Sequence, residues 1–468
     1  MKSIKYIWTL CLAALSVGFS ACNEDDEYFD SKYQDTPIVI NKIYLEDAES
    51  SVPDRLVEFA RLGQMIRVEG SGLMGMKKVY INGYDTYFNR AYVSDNSMLI
   101  QINSKTPVVD AEPEERDIIR FVKDNTETAY NFTIRAASPS VSGINTTLPM
   151  PGEIVIVSGT NLHETSSVTL PDGTQVTNIT NDEDGEWYSF VMPEGVSETG
   201  GSILSEGAHG SAKSPACFNE RRGIILDFDG TGVQGGWSAT YTSDDLTTDP
   251  LETGRGNVVS AIPASALEEG GIQSGANGKG WFTAGGEKGA WSDATENWTR
   301  FYDLIPAETP VSNIALQFDV YVPEPWSTGM LEFTFQNNLS SYGYGSTETK
   351  NTTNIAYPTA VLWIPWLVDG EVVPYQSEGW TTITIPISSV GKYQDTESAY
   401  TFADVVADRA VASYANFGMF FVNGDVVDEE LGYNFAATAF NQNIYVDNWR
   451  LVPFETFIIS DYPEDDAE

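Results

Sequence analysis

Short runs in which apolar and polar residues alternate recur along the whole chain. Two clear examples are 316–320 (Leu-Gln-Phe-Asp-Val) and 331–335 (Leu-Glu-Phe-Thr-Phe). Alternation with period two turns one face of a strand toward a core and the other toward solvent. Clusters of Gly, Pro, Asn and Asp separate the runs, and no long segment shows the helical period. The pattern predicts an all-β protein built from sandwiches.

One strand-turn-strand pattern occurs twice, at an offset of 89 residues. The aligned positions are 63–73 with 152–162, Val79 with Val168, and Ile81 with Leu170. Each copy predicts a strand, a tight glycine turn, an apolar Leu and a second strand. We therefore predict two related modules, at 37–137 and at 138–216.

The N-terminus has the layout of a secretory signal. Lys2 and Lys5 precede an apolar run at 6–15, and small residues lead to Cys22. This arrangement is typical of a cleaved signal, and the run is too short for a membrane-spanning helix. We predict a signal at 1–21 and an acidic tether at 22–36. An ordinary signal peptide with an incidental cysteine is the alternative.

Composition narrows the classes of partner. The formal charge is −41, and loss of Lys2 and Lys5 with the signal leaves −43. Such a surface repels phosphate backbones, which excludes nucleic acid as a partner, whereas a neutral sugar polymer is unaffected. Beyond Cys11 and Cys22 the only cysteine is Cys217, which we expect to be a small core residue. With only two histidines, the chain has no Cys/His metal cluster.

Tryptophan is concentrated in the second half of the chain. Nine of the eleven tryptophans lie between Trp237 and Trp449, and the others are Trp8 and Trp187. Aromatic rings are natural platforms for ligands with apolar faces. We therefore predict a ligand-binding domain at 217–457, followed by an acidic tail at 458–468.

Two N-terminal motifs resemble those of bacterial lipoproteins. Residues 19–22 (Phe-Ser-Ala-Cys) resemble a lipoprotein signal-peptidase box, which implies acylation of Cys22 and attachment to membrane lipid. The acidic run 23–27 resembles the surface-export signal of Bacteroidetes lipoproteins. Together they imply a lipid anchor in the outer membrane, facing the exterior.

The downstream modules also resemble known domains. The repeat resembles the immunoglobulin-like IPT/TIG domain, and three phrases in the last domain, at 224–230, 379–387 and 444–451, resemble jelly-roll carbohydrate-binding modules. The implied fold is two IPT/TIG-type sandwiches followed by a larger jelly-roll-like β-sandwich. The whole resembles the surface glycan-binding protein B family of starch-utilisation-type systems. That resemblance implies a non-catalytic lipoprotein that binds xyloglucan or a related β-linked hemicellulose and feeds an outer-membrane transporter complex.

Candidate ligand contacts are aromatic side chains that point away from a core. If 357–364 is a strand, Leu362 and Ile364 take the core face, and Trp363 lies outside together with Tyr357. Trp366 falls on the Leu362 side unless Pro365 breaks the strand. Further candidates on predicted loops are Trp326, Trp291, Trp298, Tyr342 and Tyr344. For each loop ring the alternative is packing against its own loop, and Trp380 and Trp449 are expected to be packing residues.

The jelly-roll resemblance also implies a structural calcium ion, with Asp227, Asp229 and Asp447 as the matching acids. Solvated acids in a very acidic chain are the alternative. We predict no other cofactor and no catalytic residues. A glycoside hydrolase with a jelly-roll catalytic domain remains an alternative, although abundant acids are no evidence for it and no complete E-x-D-x-x-E motif is present. A structural adhesin or stalk is the third hypothesis.

Overall fold

A computed structural model describes most of the chain. The described residues are 31–230, 233–234, 246–260, 282–285, 298–334, 360–411, 417–440 and 442–462, so Cys22 lies outside them. They divide into two compact units. The first contains the described residues up to Ser138, with Ala208–Gly210 and those from Ile459 onward. The second contains Pro139–Gly207 and the described part of Ser211–Ile458.

The first unit is a β-sandwich. Its described elements are α1 (Ser31–Gln34), β1 (Val39–Glu46), β2 (Asp54–Leu56), β3 (Phe59–Arg61), β4 (Met65–Ser71), β5 (Lys78–Ile81), β6 (Tyr84–Thr86), a 3-10 turn (Arg90–Tyr92), β7 (Ser97–Gln101), β8 (Ile118–Val122), β9 (Glu127–Asn131) and β10 (Thr133–Arg135). Two four-stranded sheets, ordered β2-β1-β4-β7 and β6-β5-β8-β9, enclose a core that includes Val68 and Phe121, while β3 and β10 pair in parallel.

Part of the predicted acidic tail packs into this first unit. The Arg61 guanidinium donates through Nε to Asp461 Oδ2 at 2.6 Å. The Tyr462 ring stacks on Phe59, with centroids 6.0 Å apart. These two tail residues are therefore partly buried and do not behave as a solvated extension.

The second unit begins with a smaller sandwich. Its strands are β11 (Ser140–Ile144), β12 (Ile154–Thr160), β13 (Thr165–Thr169), β14 (Gln175–Val176), β15 (Thr180–Asn181), β16 (Trp187–Val191), β17 (Leu204–Gly207) and β18 (Gly210–Lys213). The sheets β11-β12-β16-β15 and β14-β13-β17-β18 share a core that includes Val157, Tyr188 and Val168.

The repeat is visible as matching strands. β4 and β12 have the same length, and both of their ends differ by the 89-residue offset. Gly70 and Gly159 occupy equivalent places, where an added Cβ would lie 2.0 Å from the Val39 carbonyl oxygen and 1.9 Å from that of Ser140. Only glycine allows the neighbouring strand to approach this closely.

The remainder of the second unit is a larger sandwich. Its strands are β19 (Ile224–Leu226), β20 (Val233–Gln234), β21 (Thr247–Thr248), β22 (Asn257–Ser260), β23 (Phe282–Gly285), β24 (Ile314–Tyr321), β25 (Met330–Thr334), β26 (Ala360–Trp363), β27 (Leu367–Val368), β28 (Glu371–Val372), β29 (Thr381–Pro386), β30 (Phe417–Val422), β31 (Val426–Asp428), β32 (Tyr433–Phe435) and β33 (Tyr445–Pro453). A six-stranded sheet (β21-β22-β33-β24-β29, with β19 on β33) faces a five-stranded sheet (β20-β23-β30-β25-β26). Phe318 and Phe333 meet between them, with ring centroids 4.8 Å apart.

Helical segments are short in the described residues. Those of the larger sandwich are α2 (Phe402–Val411) and the 3-10 turns Trp298–Phe301, Val311–Asn313, Ile387–Ser389, Gly391–Gln394 and Thr396–Ser398. The Asp404 carboxylate accepts hydrogen bonds from the Thr401 amide and hydroxyl, which caps α2. Within the described ranges, no helix has the length and apolar character needed to cross a membrane. The predicted all-β class is confirmed.

Candidate functional site

The structure reverses the orientation that was predicted for Trp363. In the β25–β26 pair Trp363 lies opposite Leu331, which is fully buried, so the two side chains share the inner face of the sheet. The half-buried Trp363 ring contacts the fully buried rings of Phe318 and Trp326, with both centroid distances at 5.4 Å. The prediction that Trp363 lies on the outer face is wrong, because strand pairing, not the alternation of Leu362 and Ile364, sets the face.

Three further candidates are core residues. Trp326 is fully buried, and its indole donates to the Thr328 carbonyl oxygen. Trp366 is 2% exposed and donates to the Gly329 carbonyl oxygen at 2.7 Å. Trp298 is fully buried beneath the Arg409 guanidinium, which lies 3.9 Å from the ring centroid. As ligand contacts these three candidates are wrong, because all three rings belong to the core cluster of the larger sandwich. The alternative of a packing ring holds for Trp326 and Trp298, and the core side of the strand holds for Trp366.

The remaining aromatic candidates, Tyr357, Trp291, Tyr342 and Tyr344, lie outside the described residues. Their contact with a ligand stays a prediction. The expectations for Trp380 and Trp449 are confirmed, since they are 4% and 0% exposed. Cys217 is also a core residue as predicted, packed with Ala315 and Val452, and burial raises the pKa of its thiol to about 11.

Four half-buried aromatic side chains, which we call the aromatic rim, border the buried tryptophans. They are Trp363, Tyr375, Tyr433 and Phe435. The rings of Trp363 and Tyr375 meet at 5.5 Å, and those of Tyr433 and Phe435 at 5.9 Å. The buried Trp366 ring lies 6.1 Å from Phe435 and joins the second pair to the core. Flat rings that are fixed from below and partly open above suit stacking on a sugar ring.

Two hairpins bring the rim together. The β27–β28 turn contains Asp369 and Gly370, which both have positive φ (51° and 80°). A two-residue hairpin turn that needs positive φ at both positions favours the sequence Asp-Gly, which is present here. A Cβ at Gly370 would lie 3.1 Å from the Tyr433 ring, so the two hairpins meet at this glycine. Tyr375, Tyr433 and Phe435 were not among the predicted contacts, although the Tyr-Asn-Phe alternation at 433–435 was an available signal.

The segments that carry the rim are strongly acidic. Residues 360–378 and 425–435 contain seven acids and no Lys or Arg. The acids are Asp369, Glu371, Glu378, Asp425, Asp428, Glu429 and Glu430. Anionic ligands are disfavoured at such a surface, and a neutral polymer is not.

The three acids expected to bind calcium serve other contacts. Asp227 Oδ1 accepts the amide hydrogens of Asp229 and Gly230, both at 3.0 Å. Asp229 Oδ1 accepts from the amide and side-chain nitrogens of Asn257 at 3.0 and 2.7 Å. In the described part of the chain, no group of three His, Cys, Asp or Glu side chains could hold a metal ion. Calcium bound jointly by Asp227, Asp229 and Asp447 therefore does not fit this arrangement.

Two buried carboxyl groups with shifted pKa values lie in one polar network. Asp319 is 1% exposed, accepts from Arg450 at 3.0 Å and from Arg255 at 3.2 Å, and also accepts from Thr382 Oγ1 at 2.8 Å. Burial by itself would raise its pKa, but the two guanidinium groups and the hydrogen bonds lower it below the ordinary value. Asp319 is therefore a buried carboxylate held by cations.

Asp447, on the adjacent strand, has the opposite shift. It is fully buried, and burial followed by repulsion from Asp319 raises its pKa well above the ordinary value. Opposed pKa shifts in two carboxyl groups can mark an acid–base pair, but such a pair must reach substrate. Here both groups are buried, with Asp319 at 1% and Asp447 at 0% exposure, so neither is open to a substrate. The network is structural and offers no site for hydrolysis.

Comparison with known proteins gives one match to a family model. Residues 218–453 match the model described as the surface glycan-binding protein B xyloglucan binding domain. Over 210 residues the chain is 33% identical to an IPT/TIG domain-containing protein of Bacteroides ovatus, which is 41% of this chain and 40% of that relative. The chain thus spans less than half the length of this curated relative.

A solved structure shares the fold. The surface glycan-binding protein PbSGBP-B from Prevotella bryantii superposes with a TM-score of 0.61 at 19% identity, covering 89% of this chain and 98% of that one. The SGBP-B from a complex xyloglucan utilization locus in Bacteroides uniformis has a TM-score of 0.44 at 16% identity, covering 89% and 99%. The second score is too low to support an argument about this chain.

Proposed function

This chain belongs to the family of the surface glycan-binding protein B xyloglucan-binding domain, and we propose that it binds a polysaccharide at the cell surface without cleaving it. The match over residues 218–453 carries the proposal, and it confirms the resemblance inferred from the sequence. Because the curated relative is matched over only 40% of its length, the activity of the whole protein is part of the proposal.

We propose xyloglucan or a related β-linked hemicellulose as the ligand. The family is described by xyloglucan binding, and the acidic aromatic rim suits a neutral chain. The half-buried rings of Tyr433 and Phe435 would contact the flat faces of sugar residues, while Trp363 and Tyr375 would support the rim from its inner side.

The proposal extends to location and partners. The Cys22 box supports acylation and an outer-membrane anchor, and the acidic run at 23–27 supports export to the outer face. A surface binder held in this way would deliver captured glycan to an outer-membrane transporter complex. These finer statements rest on the N-terminal motifs and on the family's cell-surface role.

Affinity gel electrophoresis with xyloglucan and mixed-linkage β-glucan tests the proposal, together with an assay for released reducing sugar. We expect retardation of the wild-type protein and no release. Tyr433→Ala and Phe435→Ala should each weaken binding about five- to a hundredfold, by analogy with the loss of one base–aromatic stack. Tyr302→Ala is the matched control, because Tyr302 is a half-buried aromatic of the same sandwich that packs on Phe402 away from the rim.

Trp363→Ala should behave differently from the rim variants. Its ring packs on Phe318 and Trp326, so truncation should lower the free energy of unfolding by about 2–4 kcal/mol as well as weaken binding.

Release of reducing sugar would support the hydrolase alternative. Failure of the wild-type protein to bind any polysaccharide would support the stalk.

A further inference from the structure

Trp187 lies on the outer face of the smaller sandwich in the second unit. Along β16, Tyr188 and Phe190 are buried in the core, whereas Trp187 is half-buried and Val191 is 52% exposed. Alternation along the strand therefore directs Trp187 away from the core. It is the only tryptophan between the predicted signal and Trp237.

The first repeat shows that the fold does not require an aromatic residue at this place. Ser158 pairs with Trp187 in the β12–β16 ladder, and Glu69 pairs with Ser97 at the equivalent step of the β4–β7 ladder. The same sheet is thus built with Ser97 where the second repeat has Trp187. The short Ser158 side chain beside Trp187 also leaves the ring uncovered by its cross-strand neighbour.

A cavity of about 500 Å³ opens beside this ring. Its volume falls within the roughly 300–1,000 Å³ that is common for small-molecule sites. Ser142, Ser158, Thr160 and Asn161, all with short polar side chains, line it together with Trp187. One aromatic face surrounded by short polar side chains is the combination that a pyranose ring needs.

The walls of this cavity are fixed by main-chain hydrogen bonds. The Gly159 amide donates to the Glu186 carbonyl oxygen at 2.8 Å, and the Leu162 amide donates to that of Gly185 at 2.9 Å. The loop that carries Asn161 is thereby attached to the segment that leads into Trp187. A preformed site of this kind loses little ordering entropy on binding.

Charge defines the class of ligand. Asp184 and Glu186 line the cavity and are exposed, and no Lys or Arg is among its lining residues. Uronic acids and phosphate would be repelled, which leaves neutral saccharides.

A second cavity lies in the same unit. It has a volume of about 320 Å³ and is lined by Thr384 and Phe454 of the larger sandwich. Ser142 lines both cavities, so the two are neighbours on this unit. Two neighbouring cavities suit an extended polymer better than a single sugar.

We propose that Trp187 and its cavity form a second subsite for the same neutral polysaccharide, separate from the aromatic rim. This inference rests on the proposed function, since it assumes that the chain binds a glycan. The smaller sandwich would then be a binding module that contacts the same polymer chain at a second place.

The test uses the full chain with xyloglucan as the probe. Trp187→Ala should weaken polymer binding about five- to a hundredfold, whereas Trp187→Phe should lose less. Val191→Ala is the matched control, because Val191 is exposed on the same face of β16 but does not line the cavity. Melting temperatures should stay within a few degrees of the wild type for all three variants.

Hydrogen–deuterium exchange of the wild-type protein gives an independent readout. Saturating xyloglucan should protect residues 182–191, and polygalacturonic acid should not. Equal affinities of Trp187→Ala and Val191→Ala, or no protection at 182–191 while the wild type binds xyloglucan, would overturn this inference alone. Absence of any polysaccharide binding by the wild type would overturn the proposed function as well.

Discussion

The two repeated sandwiches share matching core strands and differ in the residues on the outer face of the sheet. β4 and β12 occupy the same place in their sheets, with a glycine at the same close approach of the neighbouring strand. The first repeat then has Glu69 opposite Ser97, where the second has Ser158 opposite Trp187. The comparison shows that two modules with the same core strands can carry different residues on the outer face of the sheet.

The repeats also differ in how they use charged residues. In the first, Arg67 forms ion pairs with Asp54 and Glu46 at the surface of the sheet, where its side chain is 21% exposed. In the second repeat, Thr147 belongs to a fully buried cluster in the larger sandwich. There Arg450 Nη2 donates a hydrogen bond to Thr147 Oγ1 at 2.7 Å. The larger sandwich and the second repeat are joined through this polar network.

The largest expected effect comes from disrupting the buried polar network that joins the second repeat to the larger sandwich. Arg450→Met removes one of the two cations that hold the buried Asp319, which should lower the free energy of unfolding of the second unit by about 3–5 kcal/mol. Arg67→Met is the matched change in the first repeat. Its exposed ion pairs should contribute only about 0–1 kcal/mol. Chemical denaturation of both variants measures the difference, and equal losses would refute the contrast.

An intermediate effect is expected where the repeats agree. Gly70→Ala and Gly159→Ala each place a methyl group against a strand carbonyl oxygen, so both should lose about 1–3 kcal/mol of stability. Gly143→Ala is the control on β11, because no atom lies within 4 Å of its added Cβ. If only one of the two variants loses stability, the two glycines do not have equivalent surroundings in the two modules.

The smallest effect concerns the pH dependence of the buried cluster. The raised pKa of Asp447 means that the folded state binds its proton more tightly than the unfolded state. Asp447 therefore favours folding at low pH, and this contribution falls as pH rises above the unfolded pKa of about 3.9. Asp447→Asn removes the cost of ionising the group, so the variant should melt a few degrees above the wild type at pH 7.

The difference in melting temperature should narrow as the pH approaches 4. Asp447 Oδ1 accepts from the Asn448 backbone amide, a contact that the asparagine variant retains through its carbonyl oxygen. The bond from the Asn448 side-chain amide to Oδ2 is lost in the variant at every pH, so it does not alter the pH dependence. Melting curves of both proteins between pH 4 and 8 provide the measurement. A constant difference across that range would show that ionisation of Asp447 is not its cause.

Local pattern was enough for the architecture. The alternating runs predicted the β class, and the 89-residue repeat located β4 and β12, because strand faces and tight glycine turns are encoded over a few residues. The buried positions of Trp380, Trp449 and Cys217 were also predicted correctly from the sequence. The ten-residue helix α2 was missed, although Thr401 and Asp404 had the spacing of a capping box.

Only the tertiary structure decided which aromatic rings face outward. Every residue of β26 is apolar, as is Ile364 after it, so both faces looked suitable for a core and alternation could not choose between them. Pairing with Leu331 made the choice and turned Trp363 inward. A register shift of one residue exchanges the two faces of a strand, and that register depends on strands distant in sequence. The resemblance of the sequence motifs to a known family was therefore sufficient to suggest a glycan binder, whereas the position of the rim depended on long-range pairing.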